Sequence, residues 1–143
     1  MVKGYLVDTN IPSELTREKP DMRVEAFLRN AGKESVFLSV MTVGEIWKGI
    51  DILPVSQKRD ALQDWFNVDV RSWFAGRVLP VTEAIAERWG HLAATSKQHG
   101  FPLADGVIAA TAMEHSLTLV TRNVKDFAGL GVALFNPWGE AKQ

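Results

Sequence analysis

Short apolar segments alternate with helical patterns along this chain, and this alternation constrains the fold more than any other feature. The predicted strands are residues 4–7, 35–40, 77–81, 117–121 and 132–136. The predicted helices are a loose one from "NIPSEL" through Phe27 and Leu28, then 42–53, 57–74, Thr82 to about His99, and "ADGVIAATAMEHS". Strands that alternate with helices form βαβ units. The sequence therefore predicts an α/β fold with a mainly parallel central sheet covered on both faces.

Length and charge narrow the class of protein. A chain of 143 residues is expected to form one domain, residues 1–143. The absence of cysteine excludes disulfides and thiolate metal sites and favours a cytoplasmic protein. No apolar run approaches the ~18 residues that would cross a membrane. The net charge of −1 argues against nucleic-acid binding by bulk charge alone, but it permits binding of phosphate through a metal ion.

Acidic or amide side chains follow several predicted strands. They are Asp8, Glu45, Asp105, Asn123 and Asp126. In open parallel sheets, ligands bind beyond the carboxyl ends of the strands. We therefore expect these side chains to gather at one edge of the sheet.

Each of these residues also has a structural interpretation. Asp8 or Asn10 could cap the helix near Pro12. The segment from Thr42 to Glu45 fits a capping box of the T-x-x-E type. Asp105 could be an N-cap, where a negative charge interacts favourably with the helix dipole. Asp126 could have no role beyond beginning a turn. The sequence leaves these alternatives open for each residue taken alone.

Taken together, the acids indicate a site for a hard cation. Carboxylates that are brought close together repel, and their pKa values rise unless a positive charge intervenes. An oxygen-rich set without histidine suits Mg²⁺ or Mn²⁺ rather than zinc. Such a set is typical of phosphodiester hydrolysis. None of His91, His99 and His115 is assigned to the site, because these ions prefer oxygen ligands.

Two further groups have open roles. Arg122 and Lys125 could contact an RNA backbone or could be ordinary solvated charges. Four tryptophans are expected in the core: Trp47, Trp65, Trp73 and Trp89. Some of them could instead line a groove for a partner helix or a dimer face, and Trp138 is the best candidate for a contact outside the core.

Four segments resemble the PIN-domain ribonucleases, most closely the VapC-like and FitB-like toxins of type II toxin–antitoxin pairs. They are "LVDTN", "SVMTVGEIWKGI", "LADGVIAATAMEHSLTLVTRNVKDF" and "VALFNPW". The resemblance covers essentially the whole chain. It implies a three-layer α/β/α sandwich and a Mg²⁺- or Mn²⁺-dependent endoribonuclease that inhibits translation. It also implies a homodimer and a cognate antitoxin, usually DNA-binding, in a higher-order toxin–antitoxin assembly.

The resemblance also assigns roles by position. Asp8 and Asp105 match the principal metal ligands, and Glu45 matches the acid of the second motif. Thr9 and Asn10 match the polar residues that support the first acid.

The third motif departs from the FitB-like pattern. There an acid directly follows the threonine and arginine, whereas here Thr121 and Arg122 are followed by Asn123. Asp126 fits the alternative pattern N-x-x-D-F. Either Asp126, with Asn123, takes the role of the fourth acid, or that acid is absent.

Two other functions stay open. A PIN-fold binding module without activity is one, and Asn123 favours it. "LVDTN" is also similar to the start of haloacid-dehalogenase-type phosphatases, but these need a second acid where this chain has Asn10.

Overall fold

The computed structural model describes residues 4–95 and 100–139. Its strands are β1 (Tyr5–Val7), β2 (Val36–Ser39), β3 (Val78–Leu79), β4 (Thr118–Val120) and β5 (Leu134–Phe135). They form one sheet in the order β3-β2-β1-β4-β5, and every pairing is parallel. The expected parallel sheet is confirmed, with β1 at its centre.

Helices cover both faces of this sheet. They are α1 (Asn10–Glu14), α2 (Met22–Ala31), α3 (Val40–Ile52), α4 (Gln57–Asp64), α5 (Arg71–Trp73), α6 (Glu83–Thr95), α7 (Leu103–Glu114) and α8 (Val124–Phe127). A single 3₁₀ turn, Lys33–Ser35, precedes β2, and a π-helical segment, Trp65–Val70, joins α4 to α5. No helix among the described residues is both long enough and apolar enough to span a bilayer.

Alternating strand residues fill two hydrophobic clusters on opposite faces of the sheet. Leu6 of β1 and Leu119 of β4 are fully buried against α7 and α8. Their neighbours Val7 and Val120 belong to the other cluster, with residues of α1, α2, α3 and the π-helical segment. Side chains on a strand alternate between faces, so the expected three-layer α/β/α arrangement is confirmed.

The first predicted helix is wrong in one respect. It does not continue to Leu28, because α1 ends at Glu14 and α2 begins separately at Met22. Pro20 disfavours helical geometry in the residue before it. The buried carboxylate of Glu14 then accepts a hydrogen bond of 2.8 Å from the Asp21 backbone N–H, which fixes the turn between the two helices.

The predicted cap of α6 is confirmed at its first turn. The hydroxyl of Thr82 accepts a hydrogen bond from the Ile85 backbone N–H at 3.2 Å. The predicted end near His99 and Gly100 depends on residues 96–99, which lie outside the described residues.

The tryptophans are core residues, including the one expected elsewhere. Trp47, Trp65 and Trp73 are partly buried against the cluster that contains Val7, and Trp89 packs near Ile85. Trp138 is only 7% exposed and lies in the same cluster as Val7. The prediction that Trp138 makes a contact outside the core is therefore wrong. The reason is local: the Asn136 side chain accepts a hydrogen bond from the Trp138 N–H at 2.9 Å and turns the chain back onto the core.

Candidate active site

Asp8 lies immediately beyond the carboxyl end of the central strand. Its backbone N–H still donates to the Val120 carbonyl at 2.9 Å, so the end of β4 fixes its position. Its side chain is only 7% exposed. One carboxylate oxygen accepts from the Thr9 N–H and the other accepts from the Thr121 hydroxyl, both at 2.8 Å. Because each oxygen accepts a hydrogen bond, the carboxylate is held in one orientation and does not cap α1.

The Thr121 hydroxyl joins the ends of β1 and β4. Besides donating to Asp8, it accepts hydrogen bonds from the Asn10 amide at 3.4 Å and from the Asn123 N–H at 3.0 Å. The Asn10 side-chain oxygen accepts from the Arg122 N–H at 3.3 Å. The side chains of Thr121 and Asn10 therefore lie around Asp8 and hold the two strand ends together.

Glu45 reaches the same place from α3. Its Oε1 accepts a hydrogen bond of 3.0 Å from the Thr9 hydroxyl. The capping box predicted for Thr42 and Glu45 is wrong, because α3 begins earlier and Ser39 caps it by accepting from the Met41 N–H. Glu45 is thus free of a capping role and points toward the segment that contains Asp8.

Asp105 belongs to the first turn of α7 and is half-buried. The helix begins at Leu103, after Pro102, so the interpretation of Asp105 as an N-cap is wrong. Residues 106–112 of this helix are all buried, as the apolar sequence predicted. The burial of α7 fixes the position from which Asp105 projects.

Asp126 and Asn123 are both exposed at the start of α8. The Asp126 N–H donates to the Asn123 carbonyl at 3.0 Å. The Asp126 side chain lines a cavity of 620 Å³ together with Asp105 and Lys125. Asn123, by contrast, is tied through its backbone to Thr121, on the side of Asp8.

The acidic side chains affect one another electrostatically. Burial is the main cause that raises the pKa of Asp105 to about 6, and the charges of Asp8, Glu45 and Asp126 add to it. Burial also raises the pKa of Asp8, against the hydrogen bonds from Thr121 and Thr9. Burial and the Asp8 charge raise the pKa of Glu45. The acids therefore share one site of negative potential at the edge of the sheet.

The donor set fits a hard divalent ion with few direct protein ligands. Among residues 4–95 and 100–139, no three histidine, cysteine or acidic side chains lie close enough together to hold an ion. Mg²⁺ commonly uses only one or two carboxylates and completes its shell with water and substrate phosphate. The residues present fit that mode of binding rather than a closed cage.

The two histidines among the described residues, His91 and His115, are both exposed. His91 lies on the exposed surface of α6, where its ring is 3.8 Å from Glu87. His115 is exposed just after α7. His99 lies outside the described residues.

Sequence reasoning did not single out Phe101 or Gly106, which border Asp105. A Cβ added at Gly106 would lie 2.8 Å from Phe101 Cδ1, so the ring packs directly on the backbone of α7. The available signal was an aromatic residue next to the acidic motif in "GFPLADG". Hydrophobic patterning alone does not distinguish such a ring from a core residue.

The all-parallel sheet and the acids beyond its strand ends define an α/β protein with an acidic candidate site at the carboxyl edge. The model of the PIN domain family matches residues 5–131, and the chain belongs to that family. The chain is similar to the toxin FitB of Neisseria gonorrhoeae, with 41% identity over 135 residues that span 93% of this chain and 97% of FitB. It is also similar to the VapC ribonuclease Y4jK of Sinorhizobium fredii, with 35% identity over 138 residues that span 95% of this chain and 99% of that relative.

A solved structure extends the comparison to the backbone. The structure of FitAB bound to an IR36 DNA fragment matches with a TM-score of 0.86 and 38% identity, covering 97% of this chain and 99% of that one. The resemblance to PIN-domain toxins inferred from the sequence motifs is therefore confirmed.

Asp105→Asn is expected to stabilise the metal-free protein at pH 7. The folded-state pKa of Asp105 is about 6 against 3.8 for the ordinary side chain, so the folded state binds the proton more tightly than the unfolded state. The resulting stabilisation is full below the unfolded pKa and is lost as the pH rises through about 6. Because the carboxyl is half-exposed, solvent screening limits the gain from the variant to about 1 kcal/mol. Thermal unfolding in EDTA should show a midpoint ~3 °C higher.

The matched control for this prediction is Asp64→Asn, which removes an exposed carboxylate from α4. Its midpoint should stay that of the wild type at every pH. The difference in thermal midpoint between Asp105→Asn and the wild type should shrink as the pH falls toward 4, since the wild-type carboxyl is then protonated. A lower midpoint for Asp105→Asn at pH 7 would show that the ionised carboxylate stabilises the fold.

Proposed function

We propose that this chain is a metal-dependent endoribonuclease that acts as the toxin of a toxin–antitoxin pair and inhibits translation by hydrolysing RNA. The observation that carries the proposal is that Asp8 and Glu45, which come from separate segments of the chain, both accept hydrogen bonds from Thr9, at 2.8 and 3.0 Å. The charges of both acids also contribute to the raised pKa of Asp105. Membership in the PIN domain family and similarity to a FitB toxin and a VapC ribonuclease support it.

The acids would hold Mg²⁺ or Mn²⁺. Asp8 and Asp105 are the proposed principal ligands, directly or through water, and Glu45 helps to hold or orient the ion. When bound, the ion supplies an activated water and neutralises charge that develops on the scissile phosphate. Burial and, to a smaller extent, repulsion between the acids raise the pKa values of these carboxyls, and a bound cation would stabilise their charged forms.

The neighbouring hydroxyls keep the acids ready for this role. The hydrogen bonds from Thr121 and Thr9 favour the charged form of Asp8, and the Thr9 hydroxyl does the same for Glu45. Asp126, with Asn123, would position the attacking water or a second cation. Because Asn123 brings no charge, support for a second ion is weaker than for the first.

Arg122 and Lys125 are the proposed contacts to the RNA backbone. The Arg122 guanidinium lies 5.1 Å from the centre of the Trp138 ring, and it forms no salt bridge with an acid of the site among the described residues. Stacking on a buried indole keeps this cation beside the acids without neutralising them. Lys125 is exposed and borders the cavity that contains Asp105.

A separate groove suits the cognate antitoxin. It has a volume of 520 Å³ and lies between α1, α2 and residues 65–74, with Leu15, Leu28, Trp65 and Trp73 among its lining residues. Amphipathic helices bind in apolar grooves of this kind. One wall of this groove is α1, which directly follows Asp8 and Thr9 in the chain, so a segment bound there would contact the helix next to the first acid. We propose that this partner also binds DNA and that the toxin forms a homodimer within a larger assembly.

An inactive binding module is the second candidate function. The observation that favours it is the neutral Asn123, together with the absence of three closely spaced ligands among the described residues. A phosphatase is less well supported. Asn10 stands where its second acid is needed, and both ends of the Asn10 amide are engaged in tying the strand ends together.

Cleavage of total cellular RNA with mapping of the cut sites tests the proposed function. Wild-type protein should cut RNA at defined positions in Mg²⁺ or Mn²⁺ and should stop in EDTA, while Asp105→Asn should not cut in either ion. Mn²⁺ should also raise the thermal midpoint of the wild type, since a ligand that binds only the folded state stabilises it. A folded wild-type protein with neither cleavage nor a midpoint shift at millimolar Mn²⁺ would support the inactive module instead.

A further inference from the structure

The cavity beside the acids has a mixed lining. Its 620 Å³ lie between α6, the first turn of α7, and α8 with the loop that follows it. Asp105 and Asp126 provide two acidic groups, Lys125 provides a cation, and Leu92, Phe101 and Leu130 provide apolar surface. A metal ion would need only the acidic side of this cavity. The apolar wall is therefore available for contact with another part of the substrate.

We propose that this cavity is the subsite for a nucleobase next to the scissile phosphate, and that Phe101 stacks on that base. The inference rests on the proposed function and adds to it a contact with one base of the RNA. Asp105 lines the cavity, so a scissile phosphate held near Asp105 brings the two nucleotides that it joins close to the cavity. The base is therefore the part of the substrate that the apolar wall would contact.

Packing against α7 prepares Phe101 for this role. The Cδ1 and Cε1 edge of its ring lies against Gly106, where a Cβ would come within 2.8 Å of Cδ1 and still closer to Cε1. Trp89 also packs against Gly106, since its Cδ1 would lie 2.8 Å from the added Cβ. The ring is only partly buried and its remaining surface borders the cavity. A ring held in this way loses little conformational freedom when a base stacks on it.

The polar groups around the cavity match the edge of a base. The Thr95 hydroxyl donates to the His91 carbonyl at 2.7 Å, and a hydroxyl oxygen that donates its hydrogen can also accept one, here from an exocyclic amine. Lys125 also lines the cavity and is a donor. A base in a duplex has its polar edge paired and its faces stacked, so only an unpaired or extruded base can enter.

The test compares three variants on a short single-stranded RNA that carries one mapped cut site. Phe101→Leu keeps the apolar volume and removes the ring, and it should raise KM about tenfold with kcat nearly unchanged. Phe101→Tyr keeps the ring and should retain the wild-type KM. Phe135→Leu is the matched control, because Phe135 is an exposed ring that packs on Phe27 and is not among the residues that line the cavity. It should leave KM unchanged.

Changes in the RNA supply an independent readout. An abasic nucleotide at one position beside the cut should raise the wild-type KM by a similar factor and should add little in Phe101→Leu. The same loss should appear in RNA binding followed by fluorescence anisotropy in EDTA. Annealing a complementary strand over the cut site should abolish cleavage by the wild type.

Different outcomes overturn different proposals. If the wild type cuts RNA but Phe101→Leu and every abasic substrate keep the wild-type KM, or the duplex is cut equally fast, the base subsite is wrong and the ribonuclease stands. If the wild type cuts no RNA, the proposed function fails and the base subsite fails with it. The Mn²⁺-induced rise in the Phe101→Leu midpoint should equal that of the wild type. If Phe101→Leu does not fold, the Phe101→Tyr and abasic comparisons decide the question.

Discussion

Asp8→Asn is expected to reduce RNA cleavage at least about 100-fold while the protein remains folded, since a bound metal supplies several kcal/mol of transition-state stabilisation. The substitution preserves the shape of the side chain and removes its charge. The amide nitrogen of Asn cannot accept one of the two hydrogen bonds that Asp8 accepts, but removal of a buried charge offsets this loss, so the protein should remain folded. The measurements are the cleavage rate at saturating Mg²⁺, circular dichroism and the thermal midpoint in EDTA.

The control must separate the site from a general effect of charge. Asp64→Asn changes the net charge by the same amount at an exposed position on α4, and it should keep the wild-type rate and Mg²⁺ requirement. The Mn²⁺-induced rise in the thermal midpoint should survive in Asp64→Asn and be lost or much reduced in Asp8→Asn. An Asp8→Asn protein that cuts at the wild-type rate with the same Mg²⁺ requirement would remove Asp8 from the mechanism.

The position of the main acids could be predicted because the sequence marks where strands end. The change from "YLV" to Asp8 is abrupt, and the βαβ pattern with its parallel strands places such changes at one edge. Asp105 could be placed in the same way, since it lies at the start of a helix that is apolar nearly all round. Periodicity and topology thus place these two residues in the fold, while their proposed roles rest on the acids taken together and on the family resemblance.

The wrong predictions involve choices between a local and a distant partner. Thr42 and Glu45 fit a local capping box, but Ser39 caps α3 and Glu45 instead bonds to Thr9, 36 residues earlier. Trp138 stands near the end of the chain, yet the turn at Asn136 buries it. Sequence spacing carries no information about which distant segment a side chain meets, so such contacts require the fold.

The site also shows why its acids conflict with stability. The pKa values of Asp8, Glu45 and Asp105 are all raised, so the ionised form of each carboxyl is less stable in the metal-free folded protein than in water. Removal of one charge is therefore expected to stabilise the protein and to inactivate it. Groups kept in such surroundings are candidates for function, because a merely structural pair would relieve the repulsion with a neighbouring cation.

Thr121→Val should lower the cleavage rate by about 10- to 100-fold, as is typical when a residue that orients a metal ligand is lost. The variant keeps the shape of a fully buried side chain and removes the hydroxyl that donates to Asp8 and accepts from Asn10 and Asn123. Because the lost bond favours the charged form of Asp8, the pKa of Asp8 should rise further. The acid limb of the pH–rate profile should then move to higher pH.

Two variants distinguish this positioning role from a loss of stability. Thr111→Val removes another fully buried hydroxyl, which donates only to the Val107 carbonyl within α7, and it should leave both the pH profile and the Mn²⁺ affinity unchanged. Thr121→Ser restores a hydroxyl and should recover most of the rate. If Thr121→Val loses activity without a shift of the acid limb, and Thr121→Ser does not recover it, Thr121 acts through packing. If the limb shifts and serine reverses the shift, the Thr121 hydroxyl sets the charge of Asp8.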